Sequence, residues 1–178
     1  SECDWSSDVC SSDLVFVVRP DLWKAHAESV LAANEENVRK TFPEAKWEKY
    51  AGLQRAYYRK IVPFLYSRCF GVWGLCRKVI ANVTGCFRPI VRQVTESDML
   101  AVQHKSCALA VQTFMLAMSE VGYDTCPLEG FDSARVKKVL GLPCAARVNM
   151  IVSCGVRDEA RLLTERVRLP FEEQYHRI

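Results

Sequence analysis

The sequence predicts an α+β domain, and three observations carry that assignment. Two apolar runs, "LVFVV" at Leu14–Val18 and "RVNMIVSCG" at Arg147–Gly155, read as buried strands near opposite ends of the chain. Between them Leu100–Val121 reads as one long helix, apolar nearly all round from Cys107 to Met118. No strand–helix unit repeats, and no G-x-G-x-x-G or P-loop pattern occurs, so a doubly wound nucleotide-binding fold is excluded.

Taken in order, the first fourteen residues have neither helical nor strand period. They hold four acids (Glu2, Asp4, Asp8, Asp13) and no base. Since the whole chain has 24 basic and 21 acidic residues, setting this stretch aside raises the formal charge from +3 to about +7. After the first strand, Asp21 is positioned to cap a helix carrying Leu22, Ala25, Val30, Leu31 and Val38 near helical spacing. Pro43 ends that helix, and a second one follows until Pro63 breaks it.

From Arg55 to Arg92 the composition shifts. Eight basic residues (Arg55, Arg59, Lys60, Arg68, Arg77, Lys78, Arg88, Arg92) meet no acid, and Tyr57, Tyr58, Phe64, Tyr66, Phe70, Trp73 and Phe87 lie among them. Residues 55–92 read as an irregular, partly helical, lid-like insertion. Thr95 with Asp98 then forms a capping-box pattern for the long helix, which should be buried on most sides and stops at Gly122. "CPLEGFD" reads as a loop, stiffened by Pro127, with the amides of Leu128, Glu129 and Gly130 free to donate. Asp132 caps a short helix ending at Gly141. The second strand and a polar tail containing Arg166 and Arg168 complete the chain.

The bulk numbers narrow the function classes. With 178 residues, 49% hydrophobic and 25% charged, the chain sits in the globular range, not the disordered or collagen-like one. The longest uncharged apolar run, "FGVWGLC", is too short to span a bilayer, and the N-terminus lacks the pattern of an export signal. Nine cysteines without one C-x-x-C pair suit buried free thiols in a reducing, cytoplasmic compartment better than a disulfide framework or a zinc site. A lone His104 near the start of the long helix reads as structural.

The stretches "GYDTCPLEGFDSARVKKVLGLP", "MIVSCGVRDE" and "RVRLPFEE" closely resemble the C-terminal half of the nitroreductase family of FMN-dependent oxidoreductases. Gln112 with "TFMLA" is similar to that family's central helix, and "DLVFVV" to a strand in the middle of its fold. The resemblance implies a central, mostly antiparallel sheet flanked by helices, with the long helix buried in a homodimer. It further implies FMN as cofactor, NAD(P)H as electron donor, and a nitroaromatic, quinone or similar electron-poor small molecule as acceptor. By the same resemblance Pro127, Leu128, Glu129 and Gly130 lie along the flavin ring, and Arg166 and Arg168 bind its phosphate. Two arginines at i and i+2 of an extended chain share a face, which suits one phosphate. The chemistry is the flavin's, so no catalytic side chain is assigned, and no metal.

The family's Arg-rich N-terminal segment and its Ser/Asn-rich loop have no counterpart here, so this polypeptide is expected to bind FMN weakly or not at all and to expose apolar surface on its long helix. Asp4–Leu14 resembles a translated sequencing-adapter oligonucleotide. Residues 1–14 are therefore expected to be non-native, and residues 15–178 to be a partial domain. A second reading makes the chain a non-catalytic protein whose basic aromatic segment 55–92 binds a membrane surface or acidic partners. No nucleic-acid module is matched, and the membrane surface is the weaker of these assignments.

Overall fold

The computed structural model of the chain describes residues 10–69, 71–156, 167–175 and 177. Three strands form one antiparallel sheet in the order β1-β3-β2: β1 (Cys10–Val18), β2 (Asp124–Leu128) and β3 (Arg147–Gly155). β3 is central and carries the sheet's burial, with Val148, Val152, Ser153, Cys154 and Gly155 all buried. β1 begins at Cys10, four residues before the apolar run, and pairs Asp13 with Ser153 and Leu14 with Val152. The Ser153 hydroxyl also donates to the Asp13 carboxylate.

Helices make up most of the remaining described residues. α1 (Trp23–Thr41) and α2 (Glu44–Ala56) form a hairpin around Pro43. Phe42 stacks on Tyr50 at 4.1 Å between ring centroids, and Arg55 reaches back to Glu35 at 2.6 Å. Asp21 is not the cap of α1, as the sequence suggests. Its carboxylate is taken by Arg19 at 2.7 Å, and α1 starts without a side-chain cap. Ala27, Leu31 and Val38 form its buried stripe, while Val30 faces outward.

Pro63 does not break the second helix. A π turn at Tyr57–Ile61 absorbs it, with the Val62 amide reaching the Tyr57 carbonyl five residues back. The wider turn accommodates a ring that would collide with the carbonyl four residues earlier. α3 (Val62–Tyr66) continues from it, and α4 (Val72–Gly85) follows. The 55–92 segment is thus largely helical, contrary to the irregular reading. Its aromatic Phe70 lies outside the described residues.

α4 is held by an inward-pointing arginine. Arg77 is 1% exposed, and its Nη1 donates to the carbonyls of Phe64 (2.8 Å), Leu65 and Ser67 (3.2 Å). These carbonyls end α3, where no helical amide remains to pair them. Burial lowers the Arg77 pKa, and nearby Glu96 partly offsets that. The Glu96 carboxylate itself accepts from the amides of Cys69 (3.0 Å) and Gly71 (3.2 Å). Gly74 lets α4 press against this point, since a Cβ there would lie 2.8 Å from the Glu96 amide nitrogen.

α5 (Glu96–Glu120) begins at the capping box the sequence predicts. The Thr95 hydroxyl accepts from the Asp98 amide at 3.1 Å, and Asp98 accepts from the Thr95 amide at 3.0 Å. The helix ends ahead of Gly122, which takes φ +84°, a conformation costly for other residues. Thr95→Ala is expected to cost about 1 kcal/mol of stability in a urea titration. Hydrogen bonds from Thr95 hold the Asp98 carboxyl below its ordinary pKa. A depressed carboxylate stabilises the fold above its unfolded pKa, and that contribution disappears as pH falls through the folded one. The stability gap between the parent and Asp98→Asn should therefore close on acidification below about pH 4.

One face of α5 lies on the sheet. Val111 is buried, Phe114 meets Phe16 at 5.7 Å, and His104 Nδ1 shares a 3.0 Å hydrogen bond with Asn149 Oδ1 of β3. Among the helix's residues only Met99 and Val111 are buried, so the expectation of burial on most sides does not hold within one chain. Val102, Leu109 and Leu116 lie outward, the last two at 70% and 62% exposure. Their spacing of seven places them on one stripe.

α6 (Ser133–Val139) carries the Asp132 cap, whose carboxylate accepts from the amides of Ala134 (2.9 Å) and Arg135 (3.2 Å). α7 (Phe171–Gln174) is a single turn. The thiols depart from expectation. Cys126 is disulfide-bonded, and among the described free thiols Cys154 is buried, Cys107 half-buried, and Cys69, Cys76, Cys86 and Cys144 exposed. Among the described residues no helix is long and apolar enough to cross a membrane.

Candidate flavin-binding turn

The segment expected to be a loop is an edge strand that runs into a turn. β2 pairs Cys126 with Ser153, Pro127 with Val152 and Leu128 with Ile151. Pro127 lacks an amide donor, which an edge strand tolerates because one side of its ladder is unpaired. This is why "CPLEG" reads as a loop by composition yet folds as sheet. Pairing with β3 fixes the direction in which Leu128, Glu129 and Gly130 leave the sheet.

At the turn Pro127, Glu129 and Gly130 are exposed and Leu128 is half-buried. The Phe131 amide donates to the Glu129 carbonyl at 3.1 Å, closing the turn against the Asp132 cap. A Cβ built on Gly130 would meet no atom within 4 Å. Space therefore stands open on the side-chain side of this backbone, and the four residues predicted to line a flat ring form one continuous strip beside it. The strip is anchored by the β3 ladder on one side and by α6 on the other.

The tail arginines are not brought to the turn in the same way. Arg166 lies outside the described residues. Arg168 is exposed, and its Nη1 donates to the neighbouring Val167 carbonyl at 3.3 Å. Among the described residues no hydrogen bond or ion pair links Arg168 to residues 127–130.

Part of the basic segment is engaged by other groups of the chain. Arg55 pairs with Glu35 and Glu48, Arg77 is buried, and Arg92 donates to the Gly85 carbonyl at 2.9 Å. Absence of acids within residues 55–92 hid these partners, because Glu35 and Glu48 come from α1 and α2. A surface for anionic membranes needs such charges free, so the second reading is not favoured.

An open cleft lies elsewhere. Pro20, Asp21, Trp23, Lys24, Tyr66, Ser67, Arg68 and Ala145 line an open cavity of about 370 Å³ between the start of α1 and the end of α3. Neither composition nor spacing pointed to it, because its walls are separated by more than forty residues. The signal within reach was the aromatic Trp23 beside Lys24 just after the first strand.

Comparison with known proteins bears on the turn. The family model described as "Nitroreductase family" matches residues 14–156, which include all of β2 and the turn. Protein DrgA of Synechocystis is 38% identical over 55 residues, 31% of this chain and 26% of that protein. "Putative NAD(P)H nitroreductase MhqN" of Bacillus subtilis is 37% identical over 51 residues, 29% of this chain and 25% of that protein. These matches thus span about a quarter of the curated relatives' length.

Among solved structures, a Nitroreductase Family Protein from Streptococcus pneumoniae superposes with TM-score 0.54 at 21% identity, covering 95% of this chain and 65% of that one. A "putative NAD(P)H:FMN oxidoreductase" from Staphylococcus epidermidis gives TM-score 0.58 at 16% identity, covering 95% and 62%. These likenesses establish the shared fold.

Proposed function

The chain belongs to the nitroreductase family, and on that premise we propose that it forms part of an FMN-dependent NAD(P)H oxidoreductase acting on a nitroaromatic, quinone or similar electron-poor small molecule. The observation that supports the reading is the strip Pro127–Gly130, which is anchored by β3 and has open space at Gly130. Those residues fit a flat ring. Leu128 offers apolar surface, Pro127 limits the strip's flexibility, and Gly130 adds no side chain to keep a ring at a distance.

FMN, when bound, supplies the redox chemistry: it takes a hydride from NAD(P)H and delivers it to the acceptor. The protein's part is to bind, orient and polarise. Backbone amides of the turn favour negative charge at the ring edge, as preorganised donors do. Arg166 and Arg168 are proposed to pair with the phosphate. The exposed stripe of α5 fits the homodimer that goes with this reading. Cytoplasmic placement belongs to the same proposal.

The test uses FMN fluorescence quenching with the 178-residue chain. Weak but saturable binding is expected, because this chain spans only part of its relatives' length. Gly130→Val should weaken it at least tenfold while leaving the far-UV circular dichroism unchanged, since the added side chain meets no protein atom within 4 Å of its Cβ. Equal FMN affinity in the parent and Gly130→Val would overturn the placement. Failure of the flavin-loaded chain to oxidise NAD(P)H with any nitroaromatic or quinone would overturn the activity.

A further inference from the structure

We propose that the cleft between α1 and α3 is a second binding site, separate from the Pro127–Gly130 turn, and that it takes a flat aromatic anion of one or two rings. Three observations meet there. The first is an aromatic wall. Trp23 and Tyr66 pack with ring centroids 6.4 Å apart and planes inclined by 27°, and both line the cavity, so aromatic surface borders it.

The second is charge. Lys24 and Arg68 line the same cavity, and neither forms an ion pair among the described residues. The one carboxylate in the lining, Asp21, is occupied by Arg19 through two hydrogen bonds of 3.0 and 2.7 Å. The cleft is therefore cationic in net terms. Lys24 is held 5.6 Å from the Trp23 ring centroid, so a cation and an aromatic ring stand side by side in the lining. Lys24 also stands in the first turn of α1, a helix with no acid in that turn. A cation there opposes the helix dipole, and an anion in the cleft would relieve both.

The third is a built wall. The α3 side of the cleft ends in Tyr66, Ser67 and Arg68. The Ser67 carbonyl is one of those gripped by buried Arg77, at 3.2 Å. Arg77 thus acts as a positioning residue, fixing the backbone that carries Tyr66 and Arg68. Burial raises the Tyr66 phenol pKa above its ordinary value. A volume of about 370 Å³ lies at the small end of the range for small-molecule pockets, which limits the ligand to one or two rings. An arginine and a lysine beside an aromatic face suit a carboxylate joined directly to the ring.

The experiment is calorimetric titration of the full chain with 2-naphthoate and, in parallel, with the uncharged 2-naphthalenemethanol. One naphthoate per chain is expected, bound at least tenfold more tightly than the alcohol and more weakly at high salt. Lys24→Gln and Arg68→Gln should each weaken naphthoate at least fivefold, and Trp23→Leu at least tenfold. Circular dichroism checks that each variant is folded. Lys24 and Arg68 are exposed, so their variants decide the matter if Trp23→Leu fails to fold. Gly130→Val should leave naphthoate binding unchanged, which separates this site from the flavin turn. Absence of saturable naphthoate binding would overturn the proposal. So would equal affinity for acid and alcohol, or parent-like binding by both charge variants.

Discussion

Arg77→Leu is expected to lower the chain's folding stability by about 3 kcal/mol, read as a fall in the urea midpoint with an unchanged slope. The guanidinium is 1% exposed and satisfies the carbonyls of Phe64, Leu65 and Ser67 with one nitrogen. Leucine would leave the Leu65 and Ser67 carbonyls without this donor, while Phe64 keeps the Trp73 indole N–H at 3.3 Å. Each such orphan costs about 1–3 kcal/mol. Two other Arg77 donors, Nε and Nη2, are buried without partners. Removing them returns part of that cost, so the expected loss stays below the upper bound for two orphans. Arg77→Lys keeps a charged donor and should recover part of the loss, though its single ammonium lacks the guanidinium fork. A leucine variant as stable as the parent would show that α3 does not depend on this contact.

The second large effect concerns assembly. Leu109 and Leu116 stand outward on α5 at 70% and 62% exposure, with Val102 seven residues before Leu109. Covering two leucines by a second copy contributes about 3 kcal/mol or more. Placing glutamate at both should therefore raise a dimer dissociation constant at least 100-fold, and more once the cost of burying charge is added. Analytical ultracentrifugation of the parent and the Leu109→Glu, Leu116→Glu double variant measures this directly. A parent chain that is monomeric at tens of micromolar, or a double variant that associates equally well, would refute the α5 stripe as the dimer face. Both positions already face outward, so the glutamates should leave the fold of one chain intact.

Several elements were legible without any structure because their causes are local. Thr95 and Asp98 sit three residues apart and bond to each other's amides. Asp132 reaches only to Ala134 and Arg135. The apolar run of β3 announced a strand covered on both faces, and it is the central one. The resemblance to the nitroreductase family was legible for a related reason: "CPLEGFD" and its capped helix are contiguous, so their pattern survives as text.

What the residues by themselves determined, then, was the α+β class, the helix boundaries set by caps and glycines, and the family. The tertiary structure decided which partners those elements take. Asp21 looked like a cap until Arg19 claimed it. Pro127 looked like a loop residue until β3 supplied an edge for it to occupy. Arg77 looked like one more surface charge in a basic run until α3 folded over it. Trp23 and Tyr66 became one wall only when α1 met α3. The physical reason is reach. A cap or a turn is a contest among groups a few residues apart, whereas burial and charge pairing depend on side chains that the fold brings together from far along the chain.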